Sequence, residues 1–170
     1  RVRVADADAA AQRLAAELGA GEEGWCSTDP DLVLLCIPPG KVRLVMGQVI
    51  RLFPTSTISD VSSVKTEPER HAETLDCLSR FVGGHPMAGR ERSGAVAAQA
   101  DLFDARPWAI CPSSATEPGR VALVEQLARD CGADPLLIDA SSHDRAVALV
   151  SHLPQVVASA LAGQLSDADA

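Results

Sequence analysis

The chain has 170 residues, 46% of them apolar and 3% aromatic, with a formal net charge of −8 at pH 7. That length suits one domain, or one domain and part of a second, and the acidic balance argues against nucleic acid, whose phosphates need clustered Lys and Arg. No run approaches the ~18 uncharged apolar residues of a membrane span, so the expectation is a soluble, cytosolic protein that no membrane holds.

Taken in chain order, Val2–Val4 reads as a short strand ending at "ADAD", and Ala9–Leu18 has helical spacing that Gly19 and Gly21 stop. The run "DLVLLCIPP", Asp31–Pro39, is continuously apolar between turn residues, as in a strand buried on both faces. Lys41–Leu52 is a predicted helix, Thr57–Val61 a strand and Pro68–Phe81 a helix. A constrained loop, "GGHPMAG" at Gly83–Gly89, follows. Then come a strand at Trp108–Pro112, a helix at Gly119–Cys131 and a strand at Pro135–Ile138. From His143 the pattern becomes one long apolar helix with no strand partner. Strands alternating with helices predict an α/β fold, a Rossmann-like doubly wound parallel sheet. It would occupy residues 1–140, with 141–170 as the start of an all-helical region. The first residue is not Met and "RVRVAD" reads as the middle of a strand, so the natural N-terminus is expected upstream.

The five cysteines are widely spaced and lack any CxxC pair, which argues against a disulfide framework and against a zinc knuckle. His143 and His152 are nine apart, not the i, i+4 spacing of paired helical ligands, so no metal is expected.

In an open α/β sheet, ligands bind where the strands end and their loops converge. Asp6 ends the first strand, where a carboxylate can accept from ribose hydroxyls or simply cap a helix, a task that Asp8 suits better. Pro38 and Pro39 stiffen the loop after the second strand, either against a cofactor ring or as a plain turn. Ser62, Ser63 and Lys65 place two hydroxyls and a cation at a strand-to-helix junction, as an anion site or as ordinary capping by Ser63 with Glu67. His85 sits on a Gly- and Pro-bounded loop with Glu91 nearby, and reads either as an acid–base residue or as a structural hydrogen-bonding histidine.

"DLVLLCIPP", "SDVSSVK", "GGHPMAG" and "HDRAVALVSHLPQ" occur in this order, and over nearly its whole length the chain resembles the prephenate and arogenate dehydrogenases of tyrosine biosynthesis. The resemblance implies a nicotinamide-dependent oxidative decarboxylation, of prephenate to 4-hydroxyphenylpyruvate or of arogenate to tyrosine. It makes His85 the catalytic histidine and Ser63 the serine that meets the same hydroxyl and the nicotinamide. It places Glu91, Ser151, His152 and Gln155 around the substrate, and Asp6 and Pro38 against the cofactor. Ala7 beside Asp6 offers no cation for a 2′-phosphate, so NAD is expected over NADP. The C-terminal helices imply a homodimer.

There are departures from the family pattern. Its glycine-rich GxGxxG loop is not found, the helical region is short, and Gln155 stands where many members have histidine. The missing loop keeps open a non-catalytic relative that binds an aromatic acid. A β-hydroxy-acid dehydrogenase is a further alternative, but the long central helix with its catalytic lysine is not visible.

Overall fold

The computed structural model describes residues 1–89 and 94–168, with side chains as far as Gly163. The chain opens with β1 (Arg3–Val4), α1 (Ala9–Glu17) and β2 (Glu22–Glu23). Asp8 caps α1, its carboxylate accepting from the Ala10 N–H at 2.8 Å. β1 and β2 pair in parallel as a small sheet of their own, not as part of one continuous sheet.

The main sheet is built from β3 (Leu32–Leu35), β4 (Thr57–Asp60), β5 (Phe81–Pro86), β6 (Pro107–Pro112) and β7 (Asp134–Leu137), side by side in chain order. Helices α2 (Pro39–Leu52), α3 (Thr66–Thr74) and α4 (Pro118–Asp130) connect them. β3, β4 and β5 run parallel, but β6 pairs antiparallel to β5, opposing His85 to Ala109, and β7 runs parallel to β6. The expected all-parallel sheet is therefore mixed. A parallel pairing needs a crossover. Among the described residues the β5–β6 link holds only a 3-10 turn, Ala95–Ala97.

Strand alternation sorts the side chains to two faces. Phe81 and Ile58 pack with Val42, Met46 and Val49 of α2, whereas Val82, Trp108 and Ile110 pack with Val124 and Ala128 of α4. Each fully buried large apolar side chain stabilises the fold by roughly 1.5–3 kcal/mol, so the two faces together hold the sheet rigid. All five cysteines are free thiols.

Two elements differ from expectation near the centre of the sheet. The helix predicted over Pro68–Phe81 stops at Thr74, because Asp76 turns left-handed (φ 54°), and a 3-10 turn at Leu78–Arg80 leads into β5. The "GGHP" segment is strand, not loop. Neither Gly83 nor Gly84 has positive φ. Their small size serves close packing, since a Cβ on Gly84 would stand 2.6 Å from the Asp60 carbonyl oxygen and 3.1 Å from Trp108 Nε1.

After β7 the chain forms α5 (Ala140–Val147), a π-helical turn at Ala148–His152 and α6 (Leu153–Ala168). The helical run Ala140–Gly163 is long and apolar enough to cross a membrane by length and composition, an 18-residue window within it having a mean hydropathy of 1.5. No uninterrupted apolar run marks it in the sequence, because Ser151, His152, Gln155 and Ser159 are spread among Ala, Val and Leu.

Candidate active site

β4 delivers Asp60 to its carboxyl end, and the short "VSSV" loop turns back so that Lys65 lies beneath it. Lys65 Nζ is 2.6 Å from both carboxylate oxygens of Asp60, and both side chains are 0% exposed. Lys65 Nζ also donates to the Gly84 carbonyl at 2.6 Å, while the Gly84 N–H donates to Asp60 Oδ1 at 3.1 Å. The Ser62 hydroxyl donates to Asp60 Oδ2. A buried ion pair survives only when its remaining donors and acceptors are satisfied, and here they are. Burial pushes the Lys65 ammonium below its ordinary range, and the Asp60 charge opposes that push. The pair clamps the peptide immediately before His85. The Lys65 charge is thus consumed internally, which corrects its reading as part of an anion site.

His85 is half-buried near the end of β5. Its Nδ1 lies 2.9 Å from Nε2 of His143, with the rings edge-on at 76° and centroids 5.1 Å apart. His143 is buried on α5, and its Nδ1 is 2.8 Å from Asp144 Oδ1. The same carboxylate accepts the N–H groups of Lys65 at 2.8 Å and Thr66 at 2.9 Å. Asp144 therefore caps α3 from a distant element, and the expected capping by Ser63 does not occur. Burial, then the neighbouring His143 ring and the Lys65 ammonium, lower His85 to about 4, so its ring is neutral at physiological pH. Burial pushes Asp144 up, but hydrogen bonds from Thr66, His143 and Lys65 outweigh it and hold the carboxyl at about 2.

The other sequence candidates fall around this centre. Ser63 is exposed on the β4–α3 loop, two residues before Lys65. His152 ends the π-helical turn, exposed. Ser151 is exposed beside it, and Gln155 on α6 donates to its own helix at Ser159 Oγ, 3.3 Å away. Pro38 is the exposed residue preceding α2, whose first turn has no side-chain cap. Asp6 is exposed, with Oδ1 accepting the Asp8 N–H at 2.8 Å. Glu91 lies outside the described residues. Among the described residues no cluster of three or more His, Cys, Asp or Glu is placed to hold a metal ion. Sequence reasoning missed Asp60, Asp144 and the His143 contact. The signals were a carboxylate ending a buried strand, five residues before a lysine, and the adjacent "HD" opening an apolar helix.

A Rossmann-like α/β module with a neutral histidine at the carboxyl edge of its sheet, leading into an apolar helical arm, defines a nucleotide-binding dehydrogenase frame. The prephenate dehydrogenase nucleotide-binding domain matches residues 1–137, and the prephenate dehydrogenase dimerization domain matches 139–170. The chain belongs to the prephenate dehydrogenase family. It is 37% identical to the probable prephenate dehydrogenase NovF of Streptomyces niveus over 96% of this chain and 46% of that protein. It superposes on the Aquifex aeolicus prephenate dehydrogenase in complex with hydroxyphenyl propionate and NAD+ with a TM-score of 0.90, at 28% identity, over 98% of this chain and 60% of that one. For the Synechocystis arogenate dehydrogenase the TM-score is 0.84 at 29% identity, over 95% of this chain and 59% of that one. The chain spans about half the length of the curated relative named here.

Proposed function

We propose that this chain provides the nucleotide-binding half and the catalytic histidine of a cytoplasmic, NAD-dependent prephenate dehydrogenase. The observation that carries the reading is His85: neutral, half-buried, backed by a buried polar network and held at the edge where a substrate would lie. The exposed residues fit the cofactor. Asp6 Oδ1 is held by a backbone N–H, which leaves its second oxygen for ribose hydroxyls. Pro38 and the first residues of α2 face open space, since a Cβ on Gly40 would meet nothing within 4 Å. The nicotinamide, when bound, supplies the hydride acceptor. His85 takes the 4-hydroxyl proton at Nε2 as the carbinol carbon is oxidised. The resulting dienone loses carbon dioxide, the electron pair of the broken C–C bond moves through the ring to the oxygen, and His85 returns the proton to give the phenol. No net proton is consumed, and His85 ends the cycle neutral, as it began. Ser63 shares the hydroxyl contact. Glu91, Ser151, His152 and Gln155 contact the substrate, and Gln155 bears on its side chain. Residues 1–140 act as the nucleotide-binding unit and 141–170 begin the helical unit, through which two copies pair.

Arogenate is the second reading, favoured by the similarity to the Synechocystis arogenate dehydrogenase. NADH formation by the full-length protein with prephenate and with arogenate, each with NAD and NADP, decides between them. Turnover of prephenate with NAD supports the first reading, and turnover of arogenate alone replaces it. No turnover by a folded protein would mean a non-catalytic aromatic-acid binder. His85→Asn is expected to lower kcat by about 10²- to 10⁴-fold with substrate affinity little changed. A mutant with near-normal turnover would remove His85 from the mechanism.

A further inference from the structure

We infer that Asp144 and His143 are positioning residues that fix the ring tautomer of His85 and tie it to the loop carrying Ser63. This inference rests on the proposed role of His85. Two distances carry it. The Asp144 carboxylate, at 2.8 Å from His143 Nδ1, can only accept, so His143 must donate from Nδ1. In the neutral His143 ring, Nε2 then holds the lone pair. His85 Nδ1, 2.9 Å away, must donate to it. That leaves the His85 lone pair on Nε2, the nitrogen not engaged by His143. The carboxylate thereby selects, through a second ring, which nitrogen of His85 acts as base.

The same geometry states what would undo the arrangement. A protonated His143 would donate from Nε2 to His85 Nδ1, moving the His85 proton to Nε2 and removing the base. Asp60, Lys65 and His152 also act on the His85 ring. Only His143 meets it ring to ring in a hydrogen bond among the described residues. Asp144 binds two further groups, the Lys65 and Thr66 N–H at the start of α3. One carboxylate thus sets both the ring and the loop that bears Ser63. α5, which otherwise looks like a connector, aligns the two groups that would flank a substrate hydroxyl.

The test uses the full-length protein and two readouts. The first is the ¹⁵N spectrum of the histidine rings without substrate near pH 7. His85 is expected to carry its proton on Nδ1, and His143→Phe is expected to abolish that preference. The second is steady-state kinetics. His143→Phe should lower kcat by about 10²- to 10⁴-fold with little change in KM, as when a catalytic histidine is left in the wrong tautomer. His143→Gln should recover part of that loss, because its carbonyl can accept from His85 Nδ1. A wild-type His85 protonated on Nε2 overturns the inference, as does a folded His143→Phe protein that keeps its kcat. The spectrum needs no substrate. An Nδ1–H tautomer in a protein that turns over neither prephenate nor arogenate would therefore support the tautomer assignment while sinking the dehydrogenase reading.

Discussion

The carboxyl end of the main sheet and the C-terminal helical arm treat polarity in opposite ways. At the sheet, charged and polar groups are driven inside and paired: Lys65 with Asp60, Asp144 with His143 and two backbone N–H groups. On the arm, Leu149, Val150, Leu153, Val156 and Leu161 are all more than half exposed. Burial of ionisable groups is expensive unless every partner is present, so the first region is specified by its own residues. Exposed apolar surface of this extent marks a face meant to be covered. The dimerization-domain match over 139–170 supports a second copy as the cover. The site's chemistry should therefore be sensitive to single polar changes, and the arm's behaviour to association.

The largest effect should come from Lys65→Met. It leaves Asp60 buried without its cation and frees the Gly84 carbonyl. The expected loss is about 3–5 kcal/mol of stability, read from chemical denaturation. Asp60→Asn added to Lys65→Met should restore part of the loss, because no isolated charge then remains. If the single variant cost no more than an ordinary surface substitution, the clamp would be incidental to the fold.

Acid should dissect the same region in two stages. His85 is depressed from 6.5 to about 4, so the folded state resists protonation that the unfolded chain accepts. Its contribution is full above pH 6.5 and is lost as pH falls toward 4, with solvent at the half-buried ring holding it below what the whole shift would give. Asp144 is depressed from 3.8 to about 2, so its contribution is present above pH 3.8 and lost as pH falls toward 2, and it is the smaller of the two because solvent screens the carboxylate. Denaturation midpoints measured from pH 7 to 2 should fall through both windows. In His85→Asn the upper one should flatten. A midpoint that holds steady between pH 6.5 and 4 would show that His85 is not desolvated.

Much of the fold was legible because strand and helix periods, Asp8 as a cap, and the apolar run at Asp31–Pro39 are local signals. The antiparallel β6 was not, since direction depends on the presence of a crossover in the β5–β6 link and not on the strand's own residues. The "GGHP" segment misled for a related reason. Glycines read as turn formers, yet here they admit Asp60, Lys65 and Trp108 at close range, contacts that no local pattern encodes. His85 and the Ser63 loop stood out by motif. Asp144 did not, because its partners Lys65 and Thr66 lie 79 and 78 positions away.

The smallest effect on stability should come from the arm, and it is the one that separates the two regions. Val156 is 65% exposed, so Val156→Asp removes no internal contact of consequence. The expected change in unfolding free energy, in a monomeric preparation at low concentration, is within about 0.5 kcal/mol. The same change sets a charge in the middle of the apolar stripe. If a second copy covers that stripe, sedimentation equilibrium should show association weakened by at least tenfold, with unfolding of the sheet unaltered. Unchanged association would move the interface to another face of the helix. A large loss of monomer stability would mean that the stripe is packed against the module in solution, and the contrast between a self-specified site and a partner-dependent arm would then fail.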